Sequence, residues 1–468
     1  MLKLIVSTVL SVFLLSSAVV IVYWQDSKFE PTAEDLFLYL FLLPSVISLI
    51  LLSPYLIWTG YKAASQKKQQ NEQMQAENSA TDSVANKTAD VEHIRLHVYA
   101  TSLQSAIGRN QEVFHQTSDM LAPTLDTVLL NHVGNPILSY RMEEQLTAAE
   151  DEEFEDSFIA NIQKRIQHFI QNELYENEEV LLNVVEHLKQ SAMFYDQQLA
   201  YEYRIHPAWI KADAQEDEEI PALKDIPRLN YLNLHLVLSE TLLHVWNETE
   251  SEHLIQDFLH NLGLLPQQLK IQYHYWDIHN CYSKWMNLLK KIQNQTAEVS
   301  FLLVADSALD QELIDDHSWR TEQYIPAEFV GSCCLASQTV QILEQPRIKV
   351  LDLVLNEVNA ADVLKRLNIE NLEQYELEQP FIVLPDNIAQ PRVIQQISKY
   401  FDSSSIQPHH HLYSHYSLGH TQNLAKIYAF ILGLQVPESV HGFVYSLDAA
   451  QALMHVYAED DLTEFNQT

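Results

Sequence analysis

Apolar positions follow different periods along this chain, and the places where the period changes mark its elements. From Leu4 to Trp24, and again from Leu36 to Trp58, apolar residues run almost without interruption for the roughly twenty positions that a bilayer requires of a helix. Two membrane spans are predicted there. Lys3 precedes the first, and Lys62, Lys67 and Lys68 follow the second, whereas Lys28 is the one cation in the connection Gln25–Asp35. That asymmetry places both ends on the cytoplasmic side, with Tyr23, Trp24, Tyr55 and Trp58 near the interfaces. No convincing small-x-small cleavage site follows the first run, so it is read as a retained span and not as a signal peptide. Neither run carries the internal charges of an ion or substrate path, which leaves anchorage as its role. From Ala63 to about Asp90 aliphatic residues almost vanish, as in a polar tether.

Beyond the tether the period shortens to two. His93 to Ala100 alternates with Ile94, Leu96 and Val98 on one side, and Thr101–Gly108 continues as a turn and the start of a helix. After the acidic stretch Glu143–Asp156, amphipathic helices are predicted from about Phe158 to Leu199, polar enough to lie on the surface. Leu232–Leu238 alternates again, as a central strand. Ser251–Gly263 has helical spacing, with Leu254, Phe258 and Leu262 on one side. The amphipathic stretch Cys281–Ile292 leads into the apolar run Val299–Ala305, and after a loop the small and apolar residues up to Ser337 form a second strand. Strands at Ile348–Leu355 and Phe381–Leu384 and helices at Ala360–Leu367, Pro391–Phe401 and Asn423–Leu432 complete the reading. Such alternation predicts an α/β domain whose largely parallel sheet is wrapped by helices. The chain thus divides into a two-helix anchor (residues 1–62), a tether (63–92) and an α/β domain (93–468) with a helical, acidic insertion at about 143–220.

Composition narrows the function. With 63 Asp and Glu against 28 Lys and Arg, the net charge of −35 repels phosphate backbones, so nucleic acid is excluded as a partner. Only 8 glycines occur, and no Gly-x-Gly-x-x-Gly or Gly-Lys-Ser/Thr string is present, so no nucleotide cofactor is expected. Of the three cysteines, Cys333 and Cys334 are adjacent and Cys281 is left over, an arrangement that argues against a disulfide framework and for a reducing compartment. By itself Cys281 reads as a buried cysteine on a packed helix face. His409, His410 and His411, with His415 and His420 nearby, lack zinc-ligand spacing. They read as a solvated loop that becomes positive below about pH 6.5, and no metal is predicted.

Three stretches carry a resemblance. Ala297-Glu298-Val299 with Ala305-Asp306-Ser307, then Ile325-Pro326-Ala327-Glu328, then Gly419-His420-Thr421 before a helix are similar to successive motifs of the thiolase-fold condensing enzymes, the β-ketoacyl synthases above all. The similarity runs over roughly residues 93 to 436. It implies a duplicated, layered αβαβα fold and, by analogy, a two-fold dimer. In that family a cysteine at the amino end of a buried helix is the nucleophile, assisted by two histidines or a histidine and an asparagine. The family's helix length puts the nucleophile near Ile278, so Cys281 qualifies only if the helix begins three residues late. Tyr275–Asn280 also lacks the small residues that admit an acyl chain and shape an oxyanion hole. The family's His-Gly-Thr turn is replaced by Pro385-Asp386-Asn387, and its lysine before the last motif by His415.

The resemblance therefore implies a pseudoenzyme of the β-ketoacyl synthase type with an inherited cleft at Asp306, Ser307, Glu328, Gly419 and His420. No residue is favoured as catalytic; an active form would use Cys281 and His420. The expected role is a scaffold or accessory protein at a bacterial inner membrane, with the large domain facing the cytoplasm, lipid around the two spans and protein partners in an envelope assembly. The chain also resembles membrane-anchored accessory proteins of type VI secretion. Two other functions remain open at this point: an acyl-thioester condensing or transfer enzyme, and a pH or cation sensor built on the histidine-rich loop.

Overall fold

The first alternating run extends further than its first eight residues suggest, because Thr101, Ser102 and Leu103 keep the extended period and Gly108 supplies the positive φ of the turn that ends it. A computed structural model of the chain describes residues 91–119, 121–142, 158–210, 226–317, 324–367, 369, 381–385, 391–413, 419, 424–446 and 452–457, with positions 20, 22 and 26. Apart from positions 20 and 22 of the first, both predicted membrane spans lie outside the described residues, as does the tether up to residue 90, while Glu92 already opens the first strand; among the described residues, no helix is long and apolar enough to cross a membrane. The chain divides into two compact units, Met1–Ala89 and Asp90–Thr468.

The second unit begins with β1 (Glu92–Ser105), β2 (Gly108–Arg109) and α1 (Gln111–Ser118), followed by the hairpin β3 (Thr124–Leu130) and β4 (Pro136–Ser139). Three helices follow: α2 (Phe158–Glu176), α3 (Glu178–Tyr195) and α4 (Gln197–Ile205). Then come β5 (Tyr231–Ser239), α5 (Glu248–Asn261), β6 (Leu269–Trp276), α6 (Cys281–Gln293), β7 (Glu298–Ser307), α7 (Gln311–His317) and β8 (Glu328–Ser337). The last part holds β9 (Lys349–Leu355), α8 (Ala360–Arg366), β10 (Phe381–Pro385), α9 (Pro391–Phe401), α10 (Ala425–Leu434), β11 (His441–Ser446) and β12 (Ala452–Tyr457).

One continuous sheet has the order β10-β11-β12-β9-β1-β8-β7-β5-β6. It is mixed and not largely parallel: among the described strands only β5–β6, β5–β7 and β10–β11 pair in parallel. The difference has a local cause. Among the described residues the short α7 is the one helix between β7 and β8, and β11 is followed closely by β12, so both pairs return antiparallel.

The order also shows a duplication that residue identities do not. In the first half β5 is parallel to β7, β7 antiparallel to β8, and β8 antiparallel to β1. In the second, β10 is parallel to β11, β11 antiparallel to β12, and β12 antiparallel to β9. β6 extends the first half beyond β5; in the second half a single parallel bridge between Val383 and His411 holds that place. The opening strands of the halves, β1 and β9, pair antiparallel from Glu92↔Leu355 to Val98↔Lys349. Asp352 clamps that junction, accepting from Arg95 at 2.5 and 2.9 Å, from His93 at 2.8 Å and from the Tyr457 hydroxyl at 3.0 Å.

Helices sort to the faces by what they bury. The amphipathic helices expected around 158–199 lie on the outer face of the first half, burying Ile166, Phe169, Ile170 and Leu174 of α2 and Leu181, Val184, Val185 and Leu188 of α3 against it and exposing their other side. Helices α8 and α9 cover the corresponding face of the second half. The helices that precede β7 and β11, α6 and α10, share the inner core and meet through Trp285 and Phe430, 5.0 Å apart. From Ile427 to Leu434 every residue of α10 is buried, as in a helix enclosed by protein. Ile431 lies against Gly331 of β8, and Gly433, two residues on and so on the opposite side, lies against Val444 of β11. The helix is therefore held between the two halves of the sheet, and the layering is helix, sheet, helix, sheet, helix.

This placement makes a prediction. A Cβ at Gly433 would sit 2.4 Å from Val444 Cγ2, inside any tolerated contact. Gly433→Ala gains up to about 1 kcal/mol of helix propensity but must push two packed layers apart, so a net loss of roughly 1–3 kcal/mol is expected in urea unfolding.

Candidate functional site

The carboxyl ends of β5, β6 and β7 are level, since Ser239 pairs with Trp276 and Leu238 with Ala305. In open α/β sheets that end is where ligands are usually received. Here it holds four of the residues singled out in the sequence. Asp306 and Ser307 close β7, Glu328 opens β8 opposite Ser307, and the loop after β6 delivers Cys281 as the first residue of α6.

Glu328 is the hub. Its carboxylate is fully buried and takes both arms of Arg165, at 2.7 and 2.6 Å, the backbone N–H of Met142 at 2.7 Å and the hydroxyl of Ser307 at 3.1 Å. Asp306 is also buried. Beside them the turn Ile325–Ala327 is held by backbone bonds, Tyr140 N–H to Pro326 O at 2.9 Å and Ala308 N–H to Ala327 O at 2.9 Å. Gly419 closes over this turn with φ +62°, and a Cβ there would stand 2.8 Å from Ile325 O and 2.9 Å from the Tyr140 ring. The last motif of the resemblance is thereby brought against the middle one. His420 and His415 lie outside the described residues, as do Asp386 and Asn387.

Helix α6 starts at Cys281, three residues after Ile278, so the cysteine stands at the amino-terminal end of a helix that begins three residues later than the expected position near Ile278. Asp277 shapes the entry: its Oδ1 accepts from the N–H groups of His279 at 2.6 Å and Asn280 at 3.1 Å, and its carbonyl accepts from Cys281 N–H at 2.9 Å. A helix amino terminus favours a thiolate, but the Cys281 side chain is fully buried in the inner core. One turn on, Trp285 fills the same face, standing edge-on between Trp276 at 6.1 Å and Phe430 at 5.0 Å. These three rings and Cys281 belong to the same buried cluster.

The histidine-rich loop differs from its expected solvated form. His410 is buried and donates shape to a short 3-10 turn, its Nδ1 accepting from Gln407 N–H at 2.9 Å. His411 bridges to Val383 and packs on Phe401, and burial, with His410 and His409 adding to it, pushes its pKa down to about 4. His411 therefore charges well below pH 6.5, while the side chain of His409 stays exposed as expected. Among the described residues no group of three or more His, Cys, Asp or Glu is placed to hold a metal.

Arg165, Met142 and Tyr140 escaped the sequence reading. A signal was present for the first: Arg165 is in phase with the apolar stripe of α2 beside Ile166, Phe169 and Ile170, where a solvated arginine has no place.

No family model matches the chain, and no curated protein matches it. Solved structures are similar at low identity. ChlB3, an acyltransferase, is 12% identical with a TM-score of 0.29 over 49% of this chain and 78% of its own. The ishigamide ketosynthase/chain length factor is 10% identical with a TM-score of 0.38 over 78% of this chain and 99% of its own. AbyA1, a tetronic acid condensing enzyme, is 9% identical with a TM-score of 0.29 over 50% of this chain and 77% of its own. Scores at this level carry no conclusion about activity, and the functional reading rests on the geometry above.

Proposed function

We propose that this chain is a thiolase-like protein whose cleft is non-catalytic, acting as a scaffold or accessory protein in a bacterial envelope assembly. In this reading the residues before Asp90 anchor it in the inner membrane, the large unit faces the cytoplasm, and the assembly is of the type VI secretion kind. One observation carries the loss of catalysis: the groups at the carboxyl end of β7 are committed to an internal ion pair, Ser307 and Arg165 both binding Glu328, while the Cys281 thiol is fully buried beside Trp285. The duplicated strand order and the enclosed α6 and α10 support the thiolase-like part.

A second reading has an observation of its own. Because α6 begins at Cys281, an acyl-thioester enzyme using Cys281 and His420 has its nucleophile at the correct helix end.

The double variant Cys281→Ala/His420→Ala separates the two. A scaffold loses only packing, about 1–3 kcal/mol at Cys281, and complements a deletion strain fully. An enzyme loses orders of magnitude in rate with its nucleophile. A folded, membrane-located double variant that fails to complement would therefore replace the first reading by the second.

A further inference from the structure

Two polar clamps hold α2 along β8. On that strand Glu328, Val330, Ser332, Cys334 and Ala336 alternate onto the outer face, where the buried stripe of α2 packs. At one end Arg165 binds Glu328, and at the other the Glu173 carboxyl takes the hydroxyls of Ser332 at 2.8 Å and Ser102 at 3.2 Å. Ser102 stands opposite Ser332 and Ser307 opposite Glu328, so each clamp joins α2, β8 and one neighbouring strand. The spacings agree: Arg165 to Glu173 is about 12 Å of helix, and Glu328 to Ser332 about 13 Å of strand. Helix and strand are thus tied at matching points, one of them in the cleft.

The clamps differ in charge. Arg165 and Glu328 neutralise each other, whereas the partners of Glu173 are hydroxyls. Arg109 of β2 is its nearest cation, and the arms of Arg109 go to Glu176 at 3.0 Å and Gln104 at 2.9 Å. Glu176 of α2 is the nearest carboxylate, β1 and β8 present Ser102 and Ser332, and Asn177, between α2 and α3, donates to Ser332 Oγ at 3.0 Å. A negative charge at Glu173 is opposed twice. The group is fully buried, and it lies in the last turn of α2, where the helix dipole disfavours an anion. Burial, against the two hydroxyls and Arg109, pushes its pKa up to about 7. The folded pKa is the raised one, so the clamped arrangement is favoured below that pH and disfavoured above it. Once ionised, the carboxylate is relieved if the last turn lifts into water, where Tyr175 and Glu176 of the same turn already stand. The rigid helix that lifts also carries Arg165.

We propose that Glu173 is a proton-operated latch: when it ionises, the last turn of α2 leaves β8 and the Arg165–Glu328 pair in the cleft loosens with it. The latch regulates the site already described, and so rests on reading that pair as an internal commitment of the cleft. Hydrogen exchange of the full chain in detergent micelles, from about pH 5.5 to about pH 8.5 and expressed as protection factors, tests it. Met142 N–H, bonded to Glu328, reports on the far clamp, and Leu353 N–H in the central strand β9 reports on unfolding of the whole unit. Met142 protection is expected to fall about tenfold or more across this range and to stand below that of Leu353 at the alkaline end. In Glu173→Gln, which keeps the shape and cannot ionise, it should stay flat. Arg109→Gln, a surface change that removes the nearest cation, should move the fall to higher pH. Met142 protection that is high and equal at both ends of the range overturns the latch and leaves the ion pair standing. Met142 unprotected already at about pH 5.5 overturns both. Equal protection of Met142 and Leu353 at every pH overturns the latch by showing that α2 opens only with the whole unit, and an unchanged fall in Glu173→Gln overturns it by assigning the titration to another group.

Discussion

Arg165→Ala is expected to destabilise the Asp90–Thr468 unit by about 3–5 kcal/mol, because it leaves the Glu328 carboxylate buried without its cation. Met142 N–H and Ser307 Oγ would remain, two neutral donors where a bidentate guanidinium now stands. The loss is larger than that of the cation alone, since Arg165 also donates to Met142 O at 3.2 Å and lies 5.3 Å over the Phe169 ring. Three separate segments meet at this one carboxylate: the end of the hairpin region, α2, and the β7–β8 junction. Hydrogen exchange should therefore rise at Met142 and at the start of β8 together, and urea midpoints should fall. Arg165→Lys keeps the charge but not the fork and should recover only part of the loss. Replacing both partners by apolar residues of similar volume, Arg165→Met with Glu328→Leu, is expected to restore much of it, because no unpaired charge then stays buried. If Arg165→Ala alone is neutral, the ion pair does not organise the cleft, and the main support for a non-catalytic reading is gone.

That junction shows what was legible in the sequence and what was not. The strands β5, β7, β8 and β9 are short apolar or alternating runs bounded by polar loops, and each was readable to within a few residues. β6 was missed although Lys270, Gln272 and His274 alternate with Ile271, Tyr273 and Tyr275: as an edge strand it is half-exposed and lacks the aliphatic density of its neighbours. β11 and β12 were missed as well, and with them the antiparallel returns that make the sheet mixed. Ser307 and Glu328 were singled out from a motif, but their meeting depends on the β7–β8 register, and the meeting with Arg165 spans 163 residues of chain. No local pattern encodes such a contact. The depth of the buried stripe of α2 was hidden for a related reason: Arg165 and Glu173 lower the apolar count of the helix while lying on that stripe.

Glu173 gives the second large expectation, a stability that falls as pH rises through neutrality. This carboxyl is buried between α2 and the sheet, where Ser332 Oγ donates to it at 2.8 Å and Ser102 Oγ at 3.2 Å. Asn177 Nδ2 donates in turn to Ser332 Oγ at 3.0 Å, and Arg109 and Glu176 are the nearest charges, themselves paired at 3.0 Å. Burial outweighs these donors and pushes the Glu173 pKa up from 4.5 to about 7. A group whose folded pKa lies above its unfolded value holds its proton more tightly when folded. Its contribution is thus fully present below about pH 4.5 and is lost as pH rises through about 7. That gap corresponds to on the order of 3 kcal/mol between acid and alkaline pH. Glu173→Gln keeps the shape and cannot ionise, so its urea midpoint at pH 8 should exceed that of the natural chain, while the two should converge near pH 5. Other carboxylates whose pKa values are lowered in the folded chain, Asp126 and Asp352 among them, make acid pH unfavourable for both proteins alike, so the difference between the two midpoints is the quantity to follow. A difference that does not change from pH 5 to pH 8 would mean that Glu173 is ionised in the folded protein at both, held by Ser102, Ser332 and Arg109 more firmly than its burial opposes.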